Sequence, residues 1–367
     1  MANIAIVGAG LVGRLLALLL AKQPSSVVER ISLFEQHTLS SDKSIGRIAA
    51  AMVAPIAESV SASEHIVSMG QQSLTLWPQL LSFLELNNLW WQQGSIVVAH
   101  PQDKTTLQHF VQRLKQQEKG DVNAISAVQL AQLAPELASK FQEGLHLPLE
   151  GHINNEQLYI DSAKQIKDSR IQLVEQCTVN INDNTIYCSG ETTDYDWVID
   201  CRGMGAKEQM LANSQLRGVR GEVIRVRAPQ VNLLQPVRIM HPRYPLYIVP
   251  KADHQYVIGA TEIESDNEDG VTVRSALELL SAAYSVHTGF AEAEIIAVQT
   301  GLRPTLLDNE PLISVQNKVI QVNGLYRHGY LLAPYVLEQL LLLMSSHFIP
   351  KSRLTNNLSK ILLISLP

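Results

Sequence analysis

The sequence has no CxxC pair and no other spacing of cysteines that suits a metal. Its three cysteines, Cys177, Cys188 and Cys201, form an odd set, which fits a reducing compartment. It also lacks any basic run interleaved with aromatics, and the formal net charge is −6, which argues against a nucleic-acid partner. No window reaches the roughly 18 uninterrupted apolar residues of a membrane span. The apolar start, residues 2–20, has no positive charge before it and is broken by Arg14. It therefore reads as folded chain rather than a signal peptide, and a cytoplasmic location is expected. Low-complexity tracts are missing as well.

What remains is the composition of a globular protein, 46% hydrophobic and 17% charged. At 367 residues, two lobes are expected. The most informative stretch is the first 35 residues. Residues 3–7 are a short β-branched run that reads as a buried parallel strand. Gly8-Ala9-Gly10-Leu11-Val12-Gly13 follows at once, then a helix over residues 11–22 closed by Pro24, then a second strand over residues 31–34 ending at Glu35. This is the dinucleotide-binding arrangement. Gly8 permits the tight turn, Gly10 admits a pyrophosphate to the backbone, and Gly13 lets helix and strand pack closely. The helix N-terminus offers free N–H groups and a positive dipole end. Glu35 suits a ribose diol. The motif alone leaves FAD and NAD both open.

Farther along, residues 44–55 (SIGRIAAAMVAP) are a run of small residues before a helical stretch at 63–84. A strand at 94–100 and a polar helix at 105–118 come next. Strands at 171–174 and 197–200 follow, the latter leading into Cys201-Arg202-Gly203-Met204-Gly205. Between Gly221 and Gln299 the pattern changes to successive strands at 222–227, 246–250, 256–261 and 294–299, with Asp253-His254 as a hairpin turn and one helix at 273–285. After Gly301 the βα pattern is expected to return, with a strand at 319–322, a turn at 324–329 and an apolar helix at 330–345. The expected fold is an α/β Rossmann-type dinucleotide domain, discontinuous in sequence, carrying an inserted α+β lobe with a largely antiparallel sheet.

Several motifs in this order resemble the D-amino-acid oxidase family of FAD-dependent oxidoreductases, most of all its glycine oxidase branch of thiamine synthesis. They are GAGLVG with Glu35, SIGRIAAAMVAP, VRGE from Val219, LYIVPK from Leu246, IGAT from Ile258, GLRPTLLDNEPLI from Gly301 and NGLYRHGYLLAP from Asn323. The resemblance implies FAD rather than NAD. It places the FAD-binding part at 1–80, 145–218 and 300–367, and the substrate part at 81–144 and 219–299. The cofactor residues it implies are Gly8, Gly10, Leu11, Val12, Gly13, Glu35, Arg47, Ala49, Ala50, Met52, Val179, Cys201, Gly203, Arg303, Arg327, His328, Gly329, Tyr330 and Leu331. Some relatives hold flavin through a cysteine in the C-terminal part. This chain has no cysteine after Cys201, so its FAD is expected to be non-covalent.

The activity implied is oxidation of the C–N bond of an amino acid or amine to an imine by hydride transfer to flavin N5, with O2 reoxidising the flavin to give H2O2. Arg303 in GLRP is the expected carboxylate ligand, with Arg327 and Tyr247 supporting it. The alternative is a flavoprotein that modifies a macromolecule. His328 could titrate near neutrality or be an ordinary exposed turn histidine. Asp308 reads as a turn former. Three positions depart from the family pattern: Leu325 where a histidine is usual, Ala51 where glycine is common, and Arg202 where small residues are common. The apolar end, residues 361–366, is expected to be core, a docking strand or a contact for a protein partner.

Overall fold

The computed structural model describes residues 2–116, 121–211, 215–240 and 246–347. The apolar C-terminal stretch at 361–366 lies outside them.

The strand at the N-terminus, Ala2–Val7, is buried on both faces and sits inside a six-stranded sheet. Its neighbours are Val28–Phe34 on one side and Trp197–Asp200 on the other, both parallel to it. Gln172–Val174 and Val319–Asn323 extend the parallel sheet at its two ends, and Leu312–Gln316 closes one edge as an antiparallel strand. The period of two decides what covers each face. Ile4 and Ile6 pack on the helices Leu11–Ala21, Asn155–Asp168 and Gly329–His347. Ala5 and Val7 turn the other way, with Phe34 and Val198, onto Ile186 and Tyr195 beside a three-stranded antiparallel meander. A sheet with helices on one face and strands on the other accounts for the near-continuous apolar reading of the first strand. Its strands come from widely separated parts of the chain, so the Rossmann-type domain is discontinuous, as expected.

The second sheet has nine strands and is mainly antiparallel. Leu246–Pro250 and Gln255–Gly259 form the expected hairpin, with Asp253 and His254 at φ 56° and 54° in its turn. Two strands are longer than expected. Leu216–Arg227 pairs along its whole length with Glu294–Leu306. Gly301 itself lies mid-strand opposite Gly221, and the βα pattern returns after it as expected, strand Val319–Asn323 leading into helix Gly329–His347. Cys177 and Cys188 are joined as a disulfide, against the expectation of reduced cysteines. Among the described residues no helix is long and apolar enough to cross a membrane.

Candidate active site

A cavity of about 920 Å3 runs between the two sheets. Most of the expected site residues line it: Gly8, Gly10, Leu11, Val12, Glu35, Ala49, Ala50, Met52, Val179, Cys201, Gly203, Tyr247, Arg303, Arg327, His328, Gly329, Tyr330 and Leu331. Gly13 and Arg47 do not.

At the N-terminal end the geometry follows from three glycines. Gly8 turns at φ 97° and donates its N–H to Phe34 O at 2.8 Å. A Cβ on Gly13 would stand 1.9 Å from Gly8 O, so only glycine lets this helix start against the turn. A Cβ on Gly10 would meet nothing within 4 Å, because it would point into the cavity. That open cradle, at the start of a helix with free N–H groups, is the space a pyrophosphate needs. Glu35 faces the same space. Its Oε2 accepts from Ala9 N–H at 2.7 Å and its Oε1 from His37 N–H at 3.1 Å.

Arg14, which the motif does not require, is buried behind this turn. Its guanidinium donates to Ala9 O, Tyr159 O and Ser162 Oγ at 3.1, 3.1 and 2.9 Å and lies 3.8 Å over the Tyr159 ring. An arginine inside an otherwise apolar helix is buried only where its donors find partners, as they do here.

The small-residue run forms two short helices, Ile45–Ile48 and Pro55–Glu58, around a two-residue strand. Side chains from outside the run hold its carbonyls. Asn155 Nδ2 donates to Gly46, Arg47 and Ala49 O, Lys251 Nζ to Ala50 O, Arg225 Nη2 to Arg47 O, and Tyr330 OH to Gly46 O. Ala51 sits at φ 59°, the left-handed region that favours the glycine common there. Arg47 turns away from the cavity and makes a two-pronged pair with Glu156, with Nε 3.0 Å from Oε2. The run is therefore anchored backbone with little side chain, which lets a flat ring approach it.

The opposite end of the cavity carries the charges. Arg303 lies across Gly221, whose Cβ would come within 2.5 Å of Nη2. Its Nη1 donates to Thr261 O at 3.0 Å and Arg220 O at 3.4 Å. Arg327, by contrast, has both terminal nitrogens taken by acids, while its buried Nε has no partner among the described residues. It donates to Glu58 at 2.5 Å, to Glu262 at 2.9 Å and to Ser61 Oγ at 2.8 Å. Burial by itself raises the Glu58 carboxyl, but the charges of Arg327, His328 and Arg238 and the Arg327 hydrogen bond together outweigh it and hold it at about 2. Tyr326 OH donates to the other Glu262 oxygen at 2.5 Å. Tyr247 OH accepts from Arg238 Nη1 at 3.3 Å, and burial pushes its phenol up, so it stays protonated.

His328 is not an exposed turn residue. It is buried, and desolvation pulls it down to about 4, so it is neutral at pH 7 rather than titrating there. Asp308 does form a turn, accepting from Glu310 N–H at 3.0 Å. Arg202 pairs with buried Asp200 at the cavity wall. Leu325 lines the cavity as an apolar wall. Gly329–His347 begins here, and its first bonded turn is Leu332 N–H to His328 O. The N–H groups of residues 329–331 thus precede the bonded helix and face the cavity with its positive dipole end.

Behind the site, buried Glu150 accepts from Ala57 N–H at 2.6 Å and from Ser95 Oγ. Burial raises it to about 7. A carboxyl that binds its proton more tightly when folded gives stability that is complete below about 4.5 and declines until pH passes about 7. His328 works in the opposite sense, since a lowered histidine loses stability as pH falls from 6.5 towards 4. The two oppose each other in the intact protein. Glu150→Gln should therefore gain roughly 2–4 kcal/mol relative to wild type between pH 4.5 and 7. Denaturant unfolding at several pH values measures this, and parallel curves would contradict it.

Comparison with known proteins gives the family and the fold. The model of the DAO family, described as FAD dependent oxidoreductase, matches residues 3–338. A Rhizobium etli protein named as a thiamine biosynthesis oxidoreductase, ThiO, is 37% identical over 287 residues, 78% of this chain and 80% of its own. Glycine oxidase of Geobacillus kaustophilus is 25% identical over 350 residues, 90% of each chain. A crystal structure of that enzyme superposes with a TM-score of 0.79 over 94% of each chain, at 24% identity. L-proline dehydrogenase from P. horikoshii has the same fold, with a TM-score of 0.75 at 16% identity over 95% of each chain.

Proposed function

The chain belongs to the DAO family of FAD-dependent oxidoreductases, and on that premise we propose that it oxidises the C–N bond of a small amino acid or amine to the imine. Water then hydrolyses the imine to the oxo acid and ammonia. The overall balance with oxygen is one amino acid, one O2 and one water giving one oxo acid, one ammonia and one H2O2.

FAD is the cofactor, bound without a covalent link, and the residues present fit it. The open cradle at Gly10, the N–H groups after it and Glu35 suit the adenosine diphosphate half. The anchored run at 45–52 and the helix start at 329–331 suit the ring. When bound, FAD supplies the acceptor for the two electrons of the C–N bond.

The chain's own residues do the rest. The observation that carries the reading is Arg303, a half-buried guanidinium in the cavity wall whose hydrogen bonds go to main-chain carbonyls. A substrate carboxylate would be its ionic partner, and two parallel bonds would fix the substrate's orientation. Tyr247 keeps its proton and can donate to the same carboxylate. Arg327, held by Glu58 and Glu262, shapes the pocket rather than gripping the substrate. Neutral His328 adds no further cation to this end of the cavity. Leu325 adds an apolar wall that keeps water out. Incubation in air with small amino acids should yield oxo acid, ammonia and peroxide in equal amounts. Peroxide without ammonia would show that the C–N bond is not the one oxidised.

A further inference from the structure

The substrate end of the cavity brings together two cations, Arg303 and Arg327, and two carboxylates, Glu58 and Glu262. Arg327 is spoken for. Glu58 takes one side of its guanidinium and Glu262 the other, at 2.5 and 2.9 Å. Glu262 is placed with some care. Its main chain follows Thr261, whose carbonyl accepts from Arg303, so the acid stands next to the cation expected to hold the substrate. Its side chain is fixed at both oxygens, by Tyr326 OH and by Arg327, and is still 34% exposed. Glu268, from the same stretch of chain, lines the cavity too. Arg238 lies behind Tyr247, outside the lining.

The four charges balance before any substrate enters, and they still balance when Glu268 on the lining and Arg238, whose charge reaches Glu58, are counted as well. One substrate carboxylate on Arg303 leaves the cluster with one net negative charge. At this end of the cavity a second carboxylate would find, among the described lining residues, no cation other than Arg303 and the acid-bound Arg327, and Glu262 would stand close to it. Like charges so juxtaposed are strongly disfavoured.

We propose that Glu262 sets the charge of the substrate, admitting molecules with a single carboxylate and rejecting those with a second one. This rests on the reading of Arg303 as the carboxylate ligand. The preferred substrates are then zwitterions with an uncharged or basic side chain, and acidic amino acids and imino diacids are excluded. The residue acts through its charge, so the discrimination narrows as salt rises.

The test uses the FAD-loaded full chain and two inert anions of three carbons each, propionate and malonate. Binding is read by perturbation of the flavin spectrum and by calorimetry, neither of which needs turnover. Wild type should bind propionate about 10- to 100-fold more tightly than malonate, the factor expected of an unfavourable charge contact of about 1.4–2.8 kcal/mol. Glu262→Gln should tighten both anions, malonate by about tenfold more than propionate. Glu262→Asp keeps the charge and should keep most of the discrimination. Equal tightening of both anions, no change in either, or a wild type indifferent to the second charge would each overturn the proposal. If the spectra show this selectivity but no amino acid is oxidised, the proposed reaction fails and the role of Glu262 stands. If amino acids are oxidised and Glu262→Gln leaves the anion ratio where it was, only the role of Glu262 fails.

Discussion

Gly10→Val should give a folded, colourless protein. The structure separates this glycine from Gly13, three residues on. A Cβ at Gly10 touches nothing, so the chain can fold around valine, whose branched side chain is compatible with the extended backbone that Gly10 adopts ahead of the helix. The space that valine fills is the space the pyrophosphate requires. A Cβ at Gly13 would be 1.9 Å from Gly8 O, so Gly13→Ala should damage the fold itself. The expected signature of Gly10→Val is loss of all bound FAD, with a Tm equal to that of wild-type apoprotein. The FAD-loaded wild type melts higher, because a ligand that binds only the native state stabilises it by mass action. A yellow Gly10→Val protein with one FAD per chain would contradict the assignment.

Arg303→Ala should cut kcat/KM for a carboxylate substrate by roughly 30-fold to several thousand-fold. A buried, charge-assisted pair is worth about 2–5 kcal/mol when one partner is removed, and about 1.4 kcal/mol is a factor of ten. Burial lowers the Arg303 guanidinium, yet arginine stays protonated at any working pH, so it remains a permanent partner for the anion. Arg303→Lys should recover only part of the loss, since lysine keeps the charge and gives up the fork. A decarboxylated amine analogue should be nearly indifferent to the change, and FAD content should hold. Loss of FAD from Arg303→Ala would make the residue structural. An equal loss for acid and amine substrates would remove it from carboxylate binding.

The cofactor end of the site was legible in the sequence because its logic is local. Strand, glycine turn, helix and Glu35 fall within 35 residues, and the structure joins Glu35 to Ala9 N–H across 26 positions. The substrate end was less legible, because partners there come from far apart. Nothing near Arg327 in the chain says that Glu58, 269 residues earlier, would bind it, or that Glu262, 65 residues away, would take the other side. Arg47 looked like a cofactor residue from its neighbours and is claimed instead by Glu156, 109 residues on. His328 looked like an exposed turn because the burial that lowers it is made by other segments. Strand lengths failed for the same reason. Leu216–Arg227 and Glu294–Leu306 extend each other by pairing, and no local pattern marks their full extent. Ala51 was the exception: a departure visible in sequence that the structure explains locally, by φ 59°.

The most direct test of the whole account is anaerobic mixing of the FAD-loaded protein with a panel of small amino acids and amines while the flavin spectrum is followed. At least one amino acid with a single carboxylate should bleach the oxidised flavin, and the same compound should bleach Arg303→Ala much more slowly. A flavin that stays oxidised in the presence of every amino acid and amine would contradict it.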